Sequence, residues 1–163
     1  MTVQRAAAID CGTNSIRLLV ADVDLVAGTA EDVVREMTVV RLGEGVDATG
    51  SFSAAALHRT YASCREYAQL LADVGSPPLR FVATSASRDV ANRTQFLDGV
   101  RAILGIEPEV ISGEQEGALS FAGATAALLL GADVVSGSIV GSLVAAALIG
   151  WLGARARDRN SVI

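Results

Sequence analysis

The sequence predicts an α/β fold, a mixed β-sheet with flanking helices in the order β-β-β-α-β-α-β-α. Two observations predict it. Three strand-like segments come first, with no helical periodicity between them, and helices and strands then alternate; together these imply a mixed sheet covered by helices. A third bounds the size: 163 residues, 51% of them hydrophobic, suit one domain with a substantial core.

The first two strands are expected at Arg5–Asp10 and Ile16–Asp24. Glu31–Leu42 (EDVVREMTVVRL), rich in β-branched residues, is the third. A polar stretch, Gly43–Ser51, leads to Ser53, which is placed to cap a helix. In that helix Leu57, Tyr61, Cys64, Ala68 and Leu71 recur at three- and four-residue steps and define one apolar face. Gly75 and Pro77-Pro78 end it, and Arg80–Thr84 (RFVAT) is a short buried strand. Asn92 is expected to cap a second helix whose Phe96, Val100, Ile103 and Leu104 share a face, with Gly105 as its stop. Glu109–Ile111 is the last strand, and Gly113–Leu130 the third helix.

The net charge of −5 gives no general attraction for nucleic acid, so an anion site has to be built locally. Cys11 and Cys64 lack metal-ligand spacing and suit free thiols in a reducing compartment. No signal-peptide pattern precedes the first strand, and up to about Thr125 a cytoplasmic protein is expected.

The first two strands are separated by Asp10-Cys11-Gly12-Thr13-Asn14-Ser15, longer than a hairpin turn requires. A run of small residues can converge its N–H groups on one point and bind phosphate oxygens without net positive charge. Gly12 would allow a close approach or an unusual φ, and Thr13, Asn14 and Ser15 add side-chain donors. Asp10, at the end of a buried strand, suits a ligand for a hard divalent cation bridging protein and phosphate. Taken alone, the stretch equally suits a polar hairpin loop with Asp10 as turn former.

Three further stretches bear on the choice: RLGEGVDATGSFS (Arg41–Ser53), VATSASRDVANR (Val82–Arg93) and EVISGEQEGALSFAGA (Glu109–Ala124). Together with the first loop, and in this order and spacing, they resemble the exopolyphosphatase and guanosine-pentaphosphate phosphohydrolase family of the actin-like superfamily. The resemblance covers about Ala6 to Thr125 and implies a ribonuclease H-like, actin-type amino-terminal lobe over 1–125. It implies a phosphate cradle at Gly12, Thr13, Asn14 and Ser15, with Arg17 either beside it or on the sheet surface. It further implies that Arg88 clamps phosphate through its planar guanidinium. The family's last motif, S-G-x-E-E-A, places the catalytic base on Glu116; here the preceding glutamate is Gln115 and the alanine is Gly117. A carboxylate at a helix start can orient and deprotonate a water for in-line attack on phosphorus. The implied partners are polyphosphate or guanosine pentaphosphate, with Mg²⁺ or another divalent cation as cofactor and a homodimer in the full-length family. A non-catalytic phosphate-binding module is the competing function.

His58 is expected to be solvated, Cys11 to be a packing residue, and Glu44 and Asp47 either to approach a metal or to solubilise their loop. The family's second glycine-rich loop (I-G-G-G-S-T-E) is expected soon after Thr125. Residues 126–163 instead read as a divergent hydrophobic tail. Three origins stay open for it: a truncated or shifted-frame ending, a membrane helix over 134–153, or a helix docked on the sheet. Little turnover is expected from this chain alone.

Overall fold

The computed structural model describes residues 3–24, 29–84, 87 and 89–119. Arg88, the boundary near Thr125 and the 134–153 span lie outside the described residues. Among those described, no helix is long and apolar enough to cross a membrane.

Strands β1 (Val3–Cys11), β2 (Ser15–Asp24) and β3 (Thr29–Val39) are followed by a one-turn helix α1 (Val46–Thr49) and the long helix α2 (Ala54–Asp73). Then come β4 (Leu79–Ala83), α3 (Arg93–Leu104) and β5 (Glu109–Val110). Helix α4 starts at 113 and is described to 119. The sheet order is β3-β2-β1-β4-β5. β1, β2 and β3 form the antiparallel meander, while β4 lies parallel to β1 and β5 parallel to β4. The expected mixed sheet with flanking helices is the observed one, and α1 is the added element.

β3 ends at Val39, short of the expected Leu42. The N–H groups of Val40 and Arg41 leave the ladder and both donate to the Asn14 carbonyl (3.0 and 2.9 Å), with Arg41 at φ +49°. A non-glycine residue in this left-handed conformation cannot continue a strand.

Ala7, Ile9, Cys11, Ile16, Leu18, Val20, Phe81 and Ala83 join Leu57, Cys64, Tyr67 and Leu71 of α2 in one core. Ser53 caps α2 as expected, its Oγ accepting from the Ala56 N–H (3.1 Å). The helix face is rotated from the expected one. Thr60, Ser63 and Tyr67 are buried with Leu57, Cys64 and Leu71, whereas Tyr61 and Ala68 are half-buried. The polar members of this stripe are tolerated because each finds an acceptor. Tyr67 donates to the Ile16 carbonyl (3.0 Å), and Thr60 to the Ala56 carbonyl (2.9 Å). Tyr61 turns instead to α3, where its hydroxyl reaches the Gln95 carbonyl (2.8 Å) and its ring fills the space a Cβ on Gly99 would need.

Asn92 precedes α3 but makes no side-chain cap. Its amide is spent on the chain entering α2, accepting from the Phe52 N–H (2.9 Å) and donating to the Phe52 carbonyl (3.0 Å). Gly105 stops α3 in the left-handed conformation, as expected.

Candidate functional site

Successive residues of a strand face opposite sides of the sheet. Ala7, Ile9 and Cys11 point into the α2 core, so Asp10 points to the other face. The β1–β2 register sets Asp10 directly opposite Arg17, and the β1–β4 register sets it beside Val82. Arg17 therefore lies at the site, with Nη1 3.6 Å from Asp10 Oδ2.

Asp10 is only 6% exposed, and among the described residues its Oδ1 has no hydrogen-bond partner. Burial pushes its pKa up to about 6; the Arg17 charge opposes the rise and the Glu116 carboxylate adds to it. Glu116, more than a hundred positions away in sequence, is thus within electrostatic reach of Asp10 at the end of β1.

The start of α4 fixes Glu116. Ser112 Oγ accepts from the Gln115 N–H (3.1 Å), and Gln115 Oε1 accepts from the Ser112 N–H (2.9 Å). This reciprocal pair is a capping box, in which glutamine serves as well as glutamate. The neutral Gln115 therefore leaves the helix start intact. One residue on, the Glu116 N–H donates to the Ser112 carbonyl (2.9 Å).

The bend is braced rather than loose. The Gly12 N–H donates to the Ser15 carbonyl (2.9 Å) and closes the hairpin, so this amide is spent within the fold. Gly12 is not in a positive-φ conformation, and a Cβ there would meet only ordinary contacts, Ser15 O at 3.5 Å and Thr84 Oγ1 at 3.9 Å. The unusual φ anticipated at Gly12 is absent. The Thr13 carbonyl accepts from the Gly43 N–H (2.9 Å), and the Asn14 carbonyl from Val40 and Arg41. In a trans peptide the N–H points opposite the carbonyl, so the Asn14 and Ser15 amides turn away from the 40–43 segment. Thr13 and Asn14 are exposed, and Ser15 is half-buried.

Two residues that brace the bend were not singled out in the sequence. A Cβ on Gly43 would fall 2.3 Å from Thr13 Cγ2, so the close approach of the two loops requires glycine there. The glycine-rich Arg41–Ser53 stretch was the available signal. Arg59, on α2, donates to the Val40 carbonyl (2.8 Å) and to Glu44 Oε2 (2.8 Å), holding the same segment from behind. Nothing local marks it. Glu44 is thereby an ion-pair partner, and Asp47 sits in the first turn of α1.

Cys11 and Cys64 are free and buried. Burial raises the Cys11 thiol well above its ordinary value and pushes Cys64 up to about 12, so neither supplies a thiolate nucleophile. His58 is exposed. Among the described residues no group of three or more His, Cys, Asp or Glu side chains gathers. Asp10 Oδ1, unpartnered among the described residues, suits a cation that takes one or two carboxylates and completes its shell with phosphate and water.

A braced bend of small polar residues, a buried carboxylate with its arginine, and a second carboxylate at a helix start lie on this part of the fold. The Ppx/GppA phosphatase family matches residues 19–140. The chain belongs to that family. Exopolyphosphatase 2 of Mycobacterium tuberculosis, in strains CDC 1551 / Oshkosh and ATCC 25618 / H37Rv, is 50% identical over 135 residues, covering 78% of this chain and 42% of the relative. Among solved structures, an exopolyphosphatase-like protein superposes with a TM-score of 0.72 at 50% identity, over 76% of this chain and 37% of that one. The Aquifex aeolicus family member gives 0.68 at 30% identity, over 77% and 40%. The mixed sheet and its flanking helices are thus the actin-like fold of the family. The chain spans 42% of the length of the curated relatives it matches.

Proposed function

We propose that this chain is the phosphate-cradling lobe of an exopolyphosphatase-type phosphohydrolase, which releases terminal orthophosphate from inorganic polyphosphate or guanosine pentaphosphate. The observation that carries the proposal is the buried Asp10 carboxylate beside the braced bend, paired with Arg17 and within electrostatic reach of Glu116. In this proposal the terminal phosphoryl group rests on the Asn14 and Ser15 amides and the Thr13 and Ser15 hydroxyls, with Arg17 and Arg88 supplying positive charge. Glu116 orients a water and accepts its proton as the water oxygen bonds to phosphorus. The bridging P–O bond breaks, and the shortened chain departs as the oxyanion. A divalent cation such as Mg²⁺, held by Asp10, would neutralise charge on the phosphate oxygens when bound. A second reading is binding without turnover, since residues 126–163 do not read as the family's second glycine-rich loop. In the family a second glycine-rich loop completes the charge stabilisation.

Phosphate release from both substrates in the presence of Mg²⁺, paired with calorimetric titration of polyphosphate, tests the proposal. Glu116→Gln should cut release at least about 100-fold, in line with loss of a general base, and leave binding intact. Release that survives the substitution would remove Glu116 from the role. Binding with no release in the unaltered chain supports the second reading, and no binding at all overturns both.

A further inference from the structure

We infer that the Thr84 hydroxyl is a further donor to phosphate oxygen, lining the cradle from the β4 side; the inference rests on the bend being a phosphate site. β4 runs parallel to β1, with Ala83 opposite Cys11, so Thr84 and Gly12 leave the two strands side by side. The Thr84 N–H donates to the Cys11 carbonyl (3.1 Å), and its own carbonyl accepts from the Ser87 N–H (3.0 Å). Both main-chain polar groups of Thr84 are therefore engaged, and its position is fixed from two sides. The hydroxyl is different: among the described residues no protein group bonds it, although the residue is only 4% exposed. Its Oγ1 lies 3.9 Å from the point a Cβ on Gly12 would occupy. The hydroxyl thus faces the place in the bend where the chain carries no side chain. Gly12 needs neither a positive φ nor relief from a clash, so its missing side chain is best explained by what has to sit there. A phosphate oxygen over Gly12 would accept from Thr84, and a hydrogen bond to a charged acceptor is stronger than one to a neutral group.

Calorimetric titration of the 163-residue chain with inorganic tripolyphosphate and Mg²⁺ tests this. Thr84→Val, which keeps the shape and deletes the donor, should weaken binding about tenfold, the loss expected for one hydrogen bond to a charged group. Thr84→Ser should stay within about threefold of the unaltered chain. Gly12→Ala meets only ordinary contacts in the fold but puts a methyl group where the anion is placed. It should weaken binding at least about as much as Thr84→Val, and it keeps the test decisive if the valine variant fails to fold. Unchanged affinity in Thr84→Val or in Gly12→Ala overturns the inference and leaves the phosphate site standing. No binding by the unaltered chain overturns the phosphate site itself, and the inference with it.

Discussion

The two faces of the central strand carry opposite chemistry within one residue of each other. On the α2 side, Ala7, Ile9 and Cys11 meet Phe81, Ile16 and the apolar stripe of the long helix. On the other side, Asp10 is almost as well buried as Cys11, yet faces a guanidinium and a second carboxylate. Burial raises both acids, with different consequences. A thiol that stays protonated costs the fold nothing, whereas a carboxylate ionised at neutral pH must be held against its desolvation. One face contributes stability, and the other gives some of it up to keep a buried charge in place.

The largest expected effect breaks the apolar face. Phe81 is fully buried between Ile9 and Phe96, whose ring centroid lies 6.4 Å away. Phe81→Ala should cost about 3–5 kcal/mol in urea unfolding. A loss below about 1 kcal/mol would mean that α2 and α3 do not depend on this contact.

The next effect has the opposite sign. The folded-state pKa of Asp10, about 6, lies above the ordinary 3.8. The folded chain therefore holds the proton more tightly than the unfolded one, and the stability tied to that proton is lost as pH rises through about 6. Asp10→Asn removes the ionisation. Relative to the unaltered chain it should be stabilising by up to about 3 kcal/mol above pH 6 and nearly neutral below pH 4. Arg17 is partly exposed and loses little when its partner becomes neutral. The two stability curves measured against pH should diverge between these limits; parallel curves would show that Asp10 is not held against its ionisation.

The difference between the faces also explains what the sequence made legible. The strands, the cap at Ser53 and the stop at Gly105 follow from local periodicity and turn chemistry, and each is observed within a few residues of its expected place. The α2 stripe was misjudged because Thr60 and Tyr67 look too polar for a core until their acceptors, Ala56 and Ile16, are in view. Asn92 looked like a cap for the same reason: its partner, Phe52, lies 40 positions back. At the site, the bend between β1 and β2 and the helix start at Ser112-Gly113 are legible as sequence motifs. The Asp10–Arg17 pairing needed the strand register, and the brace from Gly43 and Arg59 needed the tertiary contact.

The smallest effect sharpens the polar face without touching its charges. Ser112 caps α4 through the Gln115 N–H, and Glu116 follows in the first turn. Ser112→Ala should lower stability by only about 1 kcal/mol, while Ser112→Thr should restore most of it. The more telling readout is Asp10. Glu116 contributes to the raised Asp10 pKa, so a helix start that frays and lets this carboxylate drift into water should bring Asp10 down from about 6 toward the ordinary carboxylate range. An NMR titration of the Asp10 carboxyl in the alanine and threonine variants separates the two consequences of the substitution. A stability loss accompanied by an unmoved Asp10 would mean that Glu116 is held at the site by something other than the cap. A downward shift in the alanine variant alone would identify the Ser112–Gln115 pair as the device that keeps the second carboxylate facing the first.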